Sequence, residues 1–228
     1  MNFWGCLGRG GMATSFSIAI DEPGEMARMA REIPDYGVIK LKLGSEDDEA
    51  RVAAVRGARA DAKLRVDANA GWTFEEAVGH LGWLEKYGIE LIEQPLARER
   101  MREMGELQKR TGIPVVADES VQSMSDVETL ADAGVAGINL KLMKVGGVTA
   151  ALGILRRARE RGMRVMLGCM IETSIGTTAM AHLAGLADWL DLDAPLLVTN
   201  DPFDGVSYDR NARIAVPARL GIGAVRKG

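Results

Sequence analysis

Three carboxylates arrive at nearly equal intervals along this chain. Asp67, Glu93 and Asp118 are separated by 26 and 25 residues, and each closes a short apolar run, at 64–66, 91–92 and 115–117. Turn-forming residues and then a helical pattern follow each acid. This order places the three acids at the C-terminal ends of three consecutive parallel strands. Carboxylates converging there with no His or Cys nearby suit a hard divalent cation, Mg²⁺ before Zn²⁺.

The elements that must carry these acids follow from the hydrophobic periodicity. Strands are expected at 15–20, 38–43, 63–67, 90–93, 115–118, 137–142, 164–168 and 189–193, with helices at 22–33, 46–62, 73–87, 99–110, 125–133, 148–161 and 174–186. Asp21 reads as an N-cap ahead of Pro23, and Thr73 with Glu76 has the form of a capping box. Gly112, Gly134 and Gly162 each read as a helix stop. No helix is expected after Pro195, and 201–216 reads as loop and hairpin. The strand-end positions 17, 42, 67, 93, 118, 141, 168 and 193 are spaced 25, 25, 26, 25, 23, 27 and 25 apart. A period near 25 is the length of one βα unit, and eight such units close most naturally into an α/β barrel with its functional groups at the C-terminal mouth. The alternative is an open doubly wound sheet, but no Gly-x-Gly-x-x-Gly fingerprint or P-loop follows any strand. Gly146-Gly147 is read as a helix-start loop rather than an anion site.

Composition narrows the classes. Hydrophobic residues make up 47% of the 228, enough for a sizeable core, and the net charge is −4. No Lys/Arg-rich block points to nucleic acid or an anionic membrane, and no apolar run is long enough to span a bilayer. The first residues lack the pattern of a signal peptide, and Cys6 and Cys169 lie far apart, so a reduced, cytoplasmic protein is the simplest expectation. His80 and His182 both fall in helical patterns and are read as structural.

In an eight-strand ring, strands two and six face one another. Lys40 and Lys42 come from strand two and Lys141 from strand six, so lysines oppose each other across the acids. They either neutralise those acids or act as proton-transfer groups on either side of a bound substrate. The second reading makes chemical sense. A proton next to a carboxylate is very weakly acidic, and its removal builds negative charge on two oxygens, an enediolate. A divalent cation and an ammonium can stabilise that charge. A lysine acting as base must first be neutral, and nearby cations would push the pKa of Lys42 down. A lysine on each face favours 1,1-proton transfer, meaning racemisation or epimerisation. On the eighth strand, the alternating pattern turns Asp191 and Asp193 to one face, where two acids would attract a substrate ammonium such as that of a dipeptide.

Lys40-Leu41-Lys42, Asp67-Ala68-Asn69, Glu93-Gln94-Pro95, Asp118-Glu119-Ser120 and Asn139-Leu140-Lys141 together resemble the enolase superfamily, in its mandelate racemase/muconate-lactonising subgroup. Asp191-Leu192-Asp193 resembles the Asp-x-Asp motif of dipeptide epimerases within that subgroup, including those acting on L-Ala-D/L-Glu. The resemblance implies a TIM-like (β/α)₇β barrel, with Mg²⁺ on Asp67, Glu93 and Asp118 and with Lys42 and Lys141 as the acid/base pair. It sets Lys40 beside the substrate carboxylate and makes Asn69 and Glu119 supports of the metal acids. It also implies substrate contacts from Ser17, from Asp191 and Asp193, and from Cys169 and Met170 in the segment 168–173. The function implied is a dipeptide epimerase. A lyase or cycloisomerase such as o-succinylbenzoate synthase is the alternative within the fold, and an inactive barrel is the alternative outside catalysis. Members usually carry an N-terminal α+β capping domain over the barrel mouth. Here only 1–14 precede the first strand, so residues 15–228 are expected to form the barrel alone, with the cap absent. An uncovered mouth would exclude water poorly and would favour a homo-oligomer or a separate capping partner.

Overall fold

Alternation along eight strands divides the apolar residues into two cores. In the computed structural model, which describes residues 11–33 and 35–228, one parallel sheet runs in the order β1 to β8. The strands are β1 (Phe16–Ile18), β2 (Val38–Lys42), β3 (Lys63–Asp67), β4 (Ile89–Glu93), β5 (Val115–Ala117), β6 (Gly137–Leu140), β7 (Arg164–Gly168) and β8 (Trp189–Asp191). The sheet closes beside β1, where the Ser15 N–H donates to the Leu190 carbonyl at 3.1 Å and Thr14 pairs with Leu190 in parallel. Outward-facing residues such as Ile39, Leu41, Leu64, Val66, Ile138 and Leu190 pack in the large core. Leu91, Val116, Met166 and Trp189 form a separate small cluster. These share strand parity with Glu93, Asp118, Gly168 and Asp191, so they floor the barrel beneath the polar mouth.

The helices are α1 (Pro23–Glu32), α2 (Asp48–Ala58), α3 (Phe74–Lys86), α4 (Met101–Gln108), α5 (Met124–Ala133), α6 (Leu142–Val145), α7 (Val148–Glu160), α8 (Ser174–Ala181) and α9 (Ala194–Leu197). The Thr73–Glu76 capping box is present, and Ser123 with Asp126 forms a second one. Asp21 is not the N-cap of α1: Glu22 holds that position with Pro23 at the first turn, and Asp21 instead accepts from the Glu22 N–H at 2.7 Å. Gly134 ends α5 in the left-handed region, and Gly162 follows α7 there. Gly112 does not stop α4, which ends at Gln108, with Lys109 as its C-cap. Gly146 and Gly147 link α6 to α7, so the pair is a helix junction. Strands six and eight are shorter than the periodicity suggests, because Leu142 begins α6 and Asp193 caps α9, a single turn across Pro195. Beyond it lie antiparallel pairs, Ser207–Tyr208 with Ile214–Ala215 and Phe203–Asp204 with Val225–Arg226. The Gly-rich lead-in through residue 10, including Cys6, lies outside the described residues. Among the described residues no helix is long and apolar enough to cross a membrane.

Close backbone approach fixes how two of the outer helices pack. A methyl group on Gly105 of α4 would stand 2.1 Å from the Ala133 carbonyl oxygen at the end of α5. Gly105→Ala is therefore expected to destabilise the barrel by ~1–3 kcal/mol, because the helices must separate to admit it. Urea unfolding measures this, and an unchanged midpoint would contradict the packing.

Candidate active site

The mouth is assembled by register. Lys42 pairs with Asp67 and Asp67 with Glu93 as direct neighbours across β2, β3 and β4, so one level of the barrel carries a cation and two acids. The register slips between Leu64 and Val66 on β3, which pair with Ile89 and Ile92 on β4. The extra residue lets Glu90 reach Arg65 at 2.7 Å below the mouth, while Leu91 and Glu93 still face inward. Asp118 follows β5, and Asn139 and Lys141 share one face of β6 and its end.

Asp67, Glu93 and Asp118 are all buried. Lys40 is buried with them, its Nζ 2.6 Å from Asp191 Oδ2, 2.7 Å from Glu93 Oε2 and 3.0 Å from Asp67 Oδ2. Lys42 Nζ lies 2.6 Å from Asp67 Oδ2, and Lys141 Nζ lies 2.7 Å from Asp118 Oδ2. Lys144, on α6, donates to Asp118 Oδ1. Asn139 Nδ2 donates to Glu93 Oε1 at 2.7 Å. Gly168 is required beside that amide, since a Cβ there would stand 2.4 Å from Asn139 Oδ1.

These contacts set the charges. Burial opposes the ammonium of Lys40, but Asp191, Asp67 and Glu93 outweigh it and hold the group well above its ordinary range. Burial likewise opposes the charge of Lys141, which Asp118 and Glu93 raise above the usual lysine value. Asp67 is held low against its burial by Lys40 and Lys42, and Asp118 is held low against its burial by Lys144 and Lys141. Glu93 moves the other way: desolvation and the neighbouring charge of Asp67 push its carboxyl up to about 8.

The donor set fits a hard cation in kind. It is three buried carboxylates from adjacent strand ends, and one oxygen, Glu93 Oε2, is buried without an aligned hydrogen bond. The close contact from Lys40 to that oxygen is an ion pair lacking hydrogen-bond geometry. Among the described residues no three acidic, His or Cys side chains stand at ligand spacing as they are, because ammonium groups lie between the acids.

The remaining expected site residues line or support the same mouth. A cavity of about 290 Å³ is bordered by Ser17, Lys42, Lys141, Met170, Asp193 and Leu197. Asp191 and Asp193 both border this cavity, at different depths. Asp191 lies deep, held by Lys40 and by the Ser15 hydroxyl at 2.6 Å. Asp193 lies beyond the end of β8 at the start of α9, and its Oδ2 accepts from the Ser17 N–H at 2.7 Å. Strand alternation ends at Asp191, so the start of α9, not the strand, places Asp193. Desolvation and the charge of Asp191 raise the Asp193 carboxyl to about 6. Cys169 is a free thiol whose Sγ donates to the Asp191 carbonyl at 3.3 Å. The Asn69 N–H donates to Asp67 Oδ1 at 3.0 Å, and its amide reaches Glu119 Oε1 at 3.2 Å. Sequence reading passed over Ser15, Lys144 and the structural work of Gln94. Gln94 Oε1 accepts from the N–H groups of Asp118 and Ser120, fixing the turn that carries Asp118. Inward parity with Ser17 is the available signal for Ser15, whereas Lys144 lies between the strand expected at 137–142 and the helix expected at 148–161, on a short turn that no periodicity marks. The two histidines are structural in their contacts: His80 Nδ1 accepts from the Trp83 indole, and His182 Nε2 bonds with the Ile222 carbonyl. A larger cleft of about 700 Å³ lies elsewhere, between α2 and α3, lined by acids and aromatic side chains and by none of the lysines of the mouth.

A closed parallel barrel with acids and lysines interleaved at its C-terminal mouth defines an α/β-barrel protein with a buried charged site at that mouth. Residues 24–226 match the family described as enolase C-terminal domain-like, and the chain belongs to that family. It is 42% identical over 215 residues to an L-Ala-D/L-amino acid epimerase of Pedosphaera parvula, an alignment covering 92% of this chain and 61% of that protein. It is 36% identical over 225 residues to an L-Ala-D/L-Glu epimerase of Bacteroides thetaiotaomicron, covering 98% of this chain and 58% of that one. Among solved structures, a dipeptide epimerase from Cytophaga hutchinsonii complexed with Mg and the dipeptide D-Ala-L-Val superposes with a TM-score of 0.91 at 35% identity. That match covers 96% of this chain and 62% of the other. The chain thus spans about three-fifths of the length of the curated relatives it matches.

Proposed function

We propose that residues 15–228 form the catalytic barrel of a Mg²⁺-dependent dipeptide epimerase acting on L-Ala-D/L-Glu-like dipeptides. The observation that carries this reading is the opposition of Lys42 and Lys141, from strands on opposite sides of the barrel, each bonded to a different acid of the buried triad. The names of the relatives, and the Mg and dipeptide of the Cytophaga complex, support it.

Asp67, Glu93 and Asp118 would hold Mg²⁺, which when bound supplies positive charge beside the substrate carboxylate. Lys42, as a neutral amine, takes the proton from Cα on one face. Lys40, fixed as an ammonium, offsets the charge that spreads onto the carboxylate oxygens of the enediolate. Lys141, an ammonium on the other face, delivers a proton there, and the configuration inverts. The reverse reaction exchanges the two roles. Asp193, at the edge of the cavity, offers an acceptor for the substrate ammonium, while Asp191 acts through Lys40. An ammonium acceptor at the mouth weighs against a lyase of the o-succinylbenzoate type, whose substrate has no such group. Met170, Ile171 and Leu197, exposed at the cavity, form an apolar rim suited to being covered by further protein, whether a second copy or a separate capping partner. The free thiol of Cys169 accords with a reducing, cytoplasmic setting.

Incubation with Mg²⁺ and a dipeptide panel in ²H₂O tests the reading. Deuterium is expected at Cα of the second residue, with inversion, by NMR. A panel including L-Ala-L-Glu and L-Ala-D-Glu that shows no exchange at all would sink it.

A further inference from the structure

Lys144 lies three residues after Lys141 on the single turn of α6, with a side chain only 9% exposed. Its ammonium bonds Asp118 Oδ1, the Asp118 carbonyl and, at 3.2 Å, the Asn139 carbonyl. Lys141 holds the other oxygen of the same carboxylate, Oδ2, at 2.7 Å, and that is the sole hydrogen bond of its ammonium among the described residues. The two lysines are therefore unequal. Lys141 can leave Asp118 by rotating its own side chain and losing one bond. Lys144 would lose three, and two of its acceptors are backbone carbonyls at the ends of neighbouring strands that cannot turn with it.

We propose that Lys144 is a positioning residue that anchors Asp118 as a fixed counter-ion, so that Lys141 is free to leave that acid and reach the substrate. Without Lys144, Asp118 has one positive partner fewer in a desolvated site and holds Lys141 more strongly, so the departure of Lys141 costs more. Lys141 would then stay on Asp118. The role rests on Lys141 being a proton-transfer group, as proposed above.

The test compares the unaltered chain with Lys144→Met and Lys141→Ala. Deuterium exchange at Cα is followed separately from L-Ala-L-Glu and L-Ala-D-Glu, and Mg²⁺ affinity is measured by calorimetry without substrate. Lys144→Met is expected to slow exchange by roughly tenfold, the scale of one charge-assisted hydrogen bond, for the epimer that loses exchange in Lys141→Ala. The other epimer should stay within about threefold, since Lys42 and its partner Asp67 are untouched, and Mg²⁺ binding should persist, since all three carboxylates remain. Lys144→Gln, which keeps a donor for the carbonyls but not the charge, should show the same bias if Lys144→Met does not fold. Equal slowing of both epimers, or none, overturns the role. Lost Mg²⁺ binding overturns it too, because Lys144 would then build the cation site rather than serve Lys141. If the unaltered chain exchanges neither epimer, the assignment of Lys141 fails first and this one falls with it.

Discussion

Lys141→Ala is expected to abolish epimerisation while leaving deuterium exchange from one epimer intact. The two lysines come from opposite sides of the barrel and hold different acids, Lys42 on Asp67 and Lys141 on Asp118. On the proposed mechanism each serves one face of a substrate between them. Losing one leaves the other able to remove a proton and return it to the same face, which exchanges hydrogen without inverting the centre. Removing a general acid/base of this kind slows turnover by about 10²–10⁴-fold. Lys42→Ala should give the mirror result, with the surviving exchange on the opposite epimer. NMR in ²H₂O with each pure epimer reads both outcomes. Retained epimerisation in either variant would rule out the two-lysine scheme.

Lys40→Met should have the largest effect on stability. The ammonium is buried within 3.0 Å of carboxylate oxygens on Asp67, Glu93 and Asp191. Removing it leaves these acids crowded in a desolvated space, and breaking a buried ion pair from one side costs ~3–5 kcal/mol. Protonation of Glu93 offsets part of this, because its carboxyl already stands at about 8. The loss should be full in chelator and should shrink when Mg²⁺ is added, since a dication supplies the charge the lysine no longer does. Chemical unfolding in EDTA and in Mg²⁺ measures both parts. A variant as stable as the unaltered chain in EDTA would show that the acids do not depend on Lys40.

Much of the barrel was legible because its signals are local. Apolar strands alternate with amphipathic helices at a period near 25, and the observed strands begin and end within three residues of the expected ones. The acids and lysines could be assigned to strand ends for the same reason, and register brings Lys42, Asp67 and Glu93 to one level. Misreadings gathered where the chain leaves regular structure. Leu142 and Asp193 were read as strand because apolar residues continue, but each enters a single helical turn whose start depends on what the mouth requires.

The sequence by itself determined the eight-strand order, the three buried acids and the lysines opposed across them, since periodicity and parity act over neighbouring residues. Only the tertiary structure decided how those charges pair. It buried Lys40 among three carboxylates, set Asp191 beneath it on Ser15 while Asp193 turned to the Ser17 amide, and gave Asp118 two ammoniums of unequal mobility. The physical reason is that inside a closed barrel each charge must find its partner across strands distant in sequence, and desolvation, not local propensity, selects which pairing survives.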